Sequence, residues 1–229
     1  MYTGIITKKV STGISGLDKL LGGGLESRMI TQFVGEAGSG KSTICLAIAI
    51  EILRNGGDVI YIDSEGFSIE RFVQIAGNNS KDLLKRIYIN EPTTFDGQLQ
   101  VILDSERYLQ SGNIQLIVVD SATALYRLEQ MDKKESMSKL SRHMMVLLGF
   151  AKRYNIPIVI TNQVFMDIDH NKLVGLGGTI LAHISKVIVN VEKKGLSRRL
   201  TITKHRSQPE EEIMDFNIIE TGICEINNS

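Results

Sequence analysis

Eight consecutive residues, Gly35-Glu36-Ala37-Gly38-Ser39-Gly40-Lys41-Ser42, carry the clearest chemistry in this chain of 229 residues. They read G-x-x-x-x-G-K-[ST], the spacing of a phosphate-binding loop. Glycines let the backbone curl until several N–H groups converge on one phosphate. Lys41 would add a point charge for the β- and γ-phosphates, and Ser42 a hydroxyl for Mg²⁺. The loop follows the apolar run Met29–Val34 and precedes a helical pattern, Ser42–Arg54, whose dipole favours an anion at its start. A glycine turn beside a chance lysine is the bland alternative, and the strand–loop–helix context argues against it.

Three more polar positions end apolar runs. Asp120 closes Leu116–Val119, where a carboxylate at the end of a buried strand serves the Mg²⁺ side of a phosphate site, through water. Its alternative role is a helix N-cap, since Ser121 and Thr123 follow. Glu65 lies in Tyr61-Ile62-Asp63-Ser64-Glu65-Gly66. Carboxyl ends of parallel strands are where ligands collect, and a carboxylate there can activate an attacking water. An ordinary loop carboxylate reads the same way. Gln163 ends Ile160-Thr161-Asn162-Gln163, where an amide can sense a γ-phosphate and pass its presence to the next loop. An exposed polar strand end fits that spacing as well.

These groups need a scaffold that brings strand ends together. The strand-like runs are Met29–Val34, Asp58–Asp63, Ile87–Asn90, Leu116–Asp120, Pro157–Thr161, Ser185–Val191, Leu200–Lys204 and Ile213–Ile218. Helical patterns cover Ser42–Arg54, Ile69–Ala76, Lys81–Lys85, Thr94–Leu109 and Glu135–Tyr154, with a short turn near Gly178–His183. Leu116–Val119 and Ile158–Ile160 show almost no polar alternation, which marks strands covered on both faces. Strand–helix alternation then predicts an α/β fold with a mainly parallel central sheet and helices on both faces. The last three strands, joined by short turns, should pair antiparallel at one edge.

Bulk properties narrow the classes. Lys+Arg and Asp+Glu number 26 each, so the chain lacks the strongly basic balance of a dedicated nucleic-acid binder. Any DNA contact must come from a local patch and should be modest and salt-sensitive. Two distant cysteines, Cys45 and Cys224, exclude a multi-cysteine zinc module and argue against a disulfide framework. Cys45, Met144 and Met145 read as packing residues. His143 and His205 are isolated and show no metal-ligand spacing. No membrane span or signal peptide is visible, which points to the cytoplasm. The length allows one large α/β domain or two small ones, and the elements read as one core over residues 1–229, with 1–28 leading into it and no separate N-terminal domain expected.

At this point the motifs resemble a family. Thr12–Asp18 followed by Leu20–Leu25 resembles the entry to RecA/KaiC-type ATPase cores, while Tyr61–Gly66, Val118–Arg127 and Val159–Val164 are similar to RadA-type recombinases, and the likeness runs from about Ser11 to Ile223. It implies a RecA-like P-loop core that binds ATP and Mg²⁺ through Gly35, Glu36, Ala37, Gly38, Ser39, Gly40, Lys41, Ser42 and Thr43. It implies Glu65 as catalytic carboxylate, Asp120 as the magnesium-side acid and Gln163 as the link to a second DNA-facing loop, about Phe165–Gly177. A first such loop would be Leu128–Ser138. Arg71 matches an arginine near the adenine, and Lys204–Pro209 a segment that caps ATP across a subunit boundary.

Departures from the recombinase pattern suggest an accessory role. Lys204 stands where RadA-like proteins carry an acid, and with Arg206 it resembles the K-x-R pair of KaiC-like ATPases, which reaches a neighbour's phosphate. Lys204, Arg206 and Pro209 are therefore the trans-acting candidates, with a solvated basic strand end as the alternative. The second loop is slightly acidic apart from Lys172. The better basic patch is Lys193, Lys194, Arg198, Arg199, Lys204 and Arg206, so Lys172, Arg198 and Arg199 are the DNA candidates. The expected protein binds ATP·Mg²⁺, hydrolyses it weakly, contacts single- or double-stranded DNA and assists a RadA-type recombinase, with self-association possible. The rivals are a KaiC-like signalling ATPase without a DNA role and a non-hydrolysing, ATP-dependent adaptor.

Overall fold

The computed structural model describes residues 7–129, 132–167 and 172–226. Twelve strands and nine α-helices are seen among them. The strands are β1 (Lys9–Val10), β2 (Leu25–Glu26), β3 (Ile30–Gly35), β4 (Asp58–Asp63), β5 (Ile87–Asn90), β6 (Ile114–Asp120), β7 (Ile158–Asp167), β8 (Lys172–Gly175), β9 (Val187–Lys194), β10 (Ser197–His205), β11 (Ile213–Ile219) and β12 (Gly222–Glu225). The helices are α1 (Ser15–Leu20), α2 (Lys41–Arg54), α3 (Ile69–Ala76), α4 (Ser80–Leu83), α5 (Phe95–Asp104), α6 (Glu106–Ser111), α7 (Ala124–Leu128), α8 (Lys133–Tyr154) and α9 (Gly178–Ile184).

The large sheet runs β12-β11-β10-β9-β3-β7-β6-β4-β5, with β8 paired to β7. From β5 to β9 every neighbouring pair on that path is parallel. From β9 to β12 every pair is antiparallel. The expected α/β architecture, with a parallel centre and an antiparallel C-terminal edge, is thus what the chain adopts. β1 and β2 form a separate antiparallel ribbon.

Strand alternation divides the core into two layers. Val59 and Tyr61 of β4, Leu116 and Val118 of β6, and Val159 of β7 face the layer that holds α2 and α3. Their neighbours Ile60, Ile62, Ile117, Val119, Ile158 and Ile160 face the layer that holds α5 and α8. Both layers are buried, which explains why these runs lack polar alternation.

Several boundaries differ from the sequence reading. The expected helix Thr94–Leu109 is two helices, broken at Ser105, whose Oγ donates to the Val101 carbonyl at 2.8 Å. A hydroxyl bonded back to the preceding turn competes with the helical ladder and bends it. β9 begins at Val187 and runs three residues past Val191, because β10 pairs with it as far as Lys194. α1, α7 and the strands β1, β2, β8 and β12 were not visible as patterns, since each is six residues or shorter.

Candidate nucleotide-binding site

The phosphate loop leaves β3 at Gly35 and enters α2 at Lys41. Gly38 (φ 68°) and Gly40 (φ 109°) hold left-handed backbone that a side chain would strain. Gly35 answers a different need: a Cβ there would lie 2.2 Å from the Val191 carbonyl oxygen of β9. Within the loop Ser39 N donates to the Glu36 carbonyl, while the amides of Ala37, Gly38 and Gly40 meet no acceptor among the described residues. Such open amides at a helix start form an anion-binding concavity. The Ser39 hydroxyl is also buried without a partner.

Lys41 folds back over the loop. Its Nζ donates to the carbonyls of Gly35 (2.9 Å) and Glu36 (2.8 Å). Burial lowers its pKa, and the nearby Asp120 and Glu65 act in the opposite direction. The cavity above it, about 230 Å³, is lined by the loop, Ser42, Thr43, Glu65, Asp120, Thr161, Gln163 and Ile218.

The strands bring the acids to the same side. Tyr61, Asp63, Asp120 and Thr161 lie in the alternation that faces α2, and Asp63 stands directly across from Asp120 in the parallel β4–β6 pair. Thr161 Oγ1 donates to Asp120 Oδ1 at 2.6 Å, and Tyr61 OH donates to Oδ2 at 3.1 Å. Both oxygens of Asp120 are therefore fixed by neutral hydroxyls. That arrangement holds the carboxyl group in place at the cavity wall, which fits an acid that meets Mg²⁺ through water. The Asp120–Ser121 peptide is cis.

Asp63 ties down the turn that carries Glu65. Its Oδ1 accepts from Glu65 N and Gly66 N, both at 2.8 Å. Those two bonds favour the ionised form, but burial outweighs them, and with Asp120 nearby the pKa rises to about 6. Exposed Glu65 in turn accepts from Gln163 Nε2 at 2.5 Å. Residues from five separated segments (37–43, 65, 120, 161–163 and 218) thus meet around one cavity. Neither Tyr61 nor Thr161 was singled out from the sequence. The hydroxyl in the midst of an apolar strand was the available signal.

The remaining candidates lie elsewhere. Arg71 is held by the carbonyls of Ile219 (2.7 Å) and Glu220 (2.9 Å), beside the cavity-lining Ile218 at the end of β11. Lys204 Nζ donates to the carbonyls of Ala182 and Ser185 at the end of α9, the latter at 2.9 Å. Arg206 pairs with buried Glu26 at 2.6 Å. Pro209 lines a separate cavity with Gly16, Lys19 and Leu20. Arg199 makes a bidentate pair with Asp215 (2.7 and 2.8 Å), and Lys194 pairs with Glu192 at 3.2 Å. Lys172 opens β8, and its side chain lies outside the described residues, as do parts of both expected DNA-facing loops. No helix among the described residues is long and apolar enough to cross a membrane.

Comparison with known proteins agrees with this architecture. The family model described as Rad51 matches residues 5–226. A "DNA repair and recombination protein RadB" of Methanoculleus marisnigri is 53% identical over 219 residues, covering 95% of this chain and 98% of the relative. Proteins of the same name from Methanococcoides burtonii and Thermoplasma acidophilum are 44% and 37% identical, each over 95% of this chain and over 98% and 95% of their own lengths.

Proposed function

Since this chain belongs to the Rad51 family and stands with its archaeal RadB members, we propose that it is an ATP-binding, weakly hydrolysing accessory protein of DNA recombination and repair. It would bind DNA with modest affinity and assist a RadA-type recombinase. The observation that carries the ATP reading is the convergence of Lys41, Glu65, Asp120 and Gln163 on the cavity above the phosphate loop.

Each group has a task there. The free loop amides and the start of α2 receive the phosphates, and Lys41 leaves its two carbonyl partners to meet them. Ser42 and Asp120 would hold Mg²⁺, the latter through water, and the ion would supply charge neutralisation to the phosphates. Glu65 is the candidate to orient the attacking water, and Gln163, hydrogen-bonded to it, is the candidate to register the γ-phosphate.

Slow turnover follows from what one chain supplies. Glu65 is exposed, so water is not excluded around it. Lys204 and Arg206, the candidates to act on a neighbour's nucleotide, are engaged within their own chain. A cation delivered across a subunit boundary would have to exchange those contacts first, so the transition-state charge lacks that stabilisation in an isolated subunit.

The test is ATP hydrolysis against protein concentration, with and without DNA, for the wild type and Lys41→Ala. The expected result is a low rate that rises with concentration or DNA and is lost in Lys41→Ala. A wild type that binds neither ATP nor DNA at low salt would overturn the proposal.

A further inference from the structure

β9 outruns its parallel neighbour. Val34 of β3 pairs with Asn190, and β3 ends one residue later at Gly35, whereas β9 continues to Lys194. The extra residues run alongside the phosphate loop, which is why Gly35 meets the Val191 carbonyl so closely. Val187, Val189 and Val191 point into the layer that holds α2. By the two-residue period Lys193 is next in that row, beyond the end of the core. Its Nζ lies 3.2 Å from where a Cβ on Gly38 would sit, directly at the crest of the loop.

Lys193 shares a cavity with Glu36 and Glu192 but pairs with neither. Its side chain is exposed, and among the described residues it makes no ion pair or hydrogen bond. Adjacent Lys194 points to the other face and pairs with Glu192. Directly across from Lys193 on β10 stands Arg198, whose Nε is buried without a partner. Two like charges opposite one another destabilise a strand pair unless an anion lies between or over them. The next pair along, Glu192 and Arg199, is complementary and so has no such deficit.

We propose that Lys193 is a phosphate ligand of the nucleotide bound in the same subunit, closing the loop from above as Lys41 does from below, with Arg198 reinforcing the local positive field. This rests on the ATP reading of the loop. An exposed ammonium in this position raises affinity for a polyanion by direct contact and by counterion release, so its contribution is larger for ATP than for ADP and falls as salt rises.

The experiment is equilibrium binding of fluorescent ATP and ADP analogues at two salt concentrations, with thermal melting of each unliganded variant. Lys193→Ala should weaken ATP binding by about 5–10-fold, the range for a partly exposed charge-assisted contact. The ADP affinity should fall less, and the salt dependence should flatten. Lys193→Arg should restore ATP affinity, Lys194→Ala should leave it unchanged, and the unliganded melting temperatures should agree among all variants. Unchanged ATP affinity in Lys193→Ala overturns the proposal. If that variant loses single-stranded DNA affinity instead, the phosphate Lys193 meets belongs to DNA. A wild type that fails to bind ATP would mark failure of the ATP reading itself, which is a different result from normal wild-type binding with an indifferent Lys193→Ala.

Discussion

The phosphate site and the basic edge hold their charges in opposite ways. At the site, Asp120 is gripped by two hydroxyls, Asp63 by two amides, Glu65 by a side-chain amide and Lys41 by two carbonyls. Every one of those partners is neutral. At the edge, Arg199 is met by Asp215, Lys194 by Glu192 and Arg206 by Glu26. A neutral dipole orients a charge and leaves its field available to a ligand, whereas an opposite charge cancels much of that field. A count of basic residues therefore overstates the edge as an anion-binding surface. Lys193 on β9, and Arg198 and Lys204 on β10, are the exceptions: like the site residues, they make no ion pair among the described residues, and the latter two are held by carbonyls.

The largest test of this contrast is Lys41→Ala. Removing the one cation at the floor of the site should lower ATP turnover by about 100-fold or more, the loss typical of a charge-stabilising group. A steady-state ATPase assay reads it, and a surviving rate would show that Lys41 is not at the phosphates.

Crowded acids that lack a counter-charge should also show in stability. Asp63 has a folded pKa of about 6 against an ordinary value of 3.8, so the folded state holds its proton more tightly than the unfolded state. Its contribution is fully present below about pH 4 and is lost as pH rises through 6. The change is about 2 kcal/mol across that window, from the shift and the value of one pKa unit, allowing for solvent screening. Asp63→Asn keeps an acceptor for both amides and should lack that slope. Denaturant unfolding from pH 4 to 7 would show it, and parallel curves for the two proteins would contradict the pKa.

Tyr61→Phe removes one hydroxyl from Asp120 without opening the core. We expect the Mg²⁺ concentration for half-maximal ATP binding or turnover to rise by about 3–10-fold, the equivalent of one hydrogen bond to a charged group. A purely structural tyrosine would change the melting temperature and leave the Mg²⁺ requirement alone.

The smallest effect belongs to the edge. Arg199→Ala should lower the melting temperature only slightly, because its pair with Asp215 is partly exposed and screened by solvent. It should also change DNA affinity less than Arg198→Ala does. Equal losses of DNA binding would mean that the Asp215 pair opens on contact, and would weaken the distinction between paired and unpaired cations. Charge reversal at both Arg198 and Arg199 with DNA binding unchanged would remove the patch from consideration.

The two regions also differed in how far they could be read in advance. Gly35–Ser42 is contiguous, and its chemistry depends on backbone turns that glycine positions declare locally. Asp120, Glu65 and Gln163 each end an apolar run, and parallel strands bring such ends to one rim. The grips on Asp120 were not legible, because Tyr61 and Thr161 read as strand formers until the register of β4, β6 and β7 aligns them. Likewise Lys193 and Lys194 are identical neighbours in sequence, and only the pleat sends one to the loop and the other to Glu192.

By itself, then, the order of residues determined the phosphate loop, the alternation of strands and helices, and the antiparallel character of the C-terminal edge, because those depend on periodicity and on backbone freedom within a few residues. The tertiary structure decided which charges remain available. That outcome depends on strand order, register and facing side chains drawn from distant segments, as with Glu26 and Arg206, and no local pattern records it.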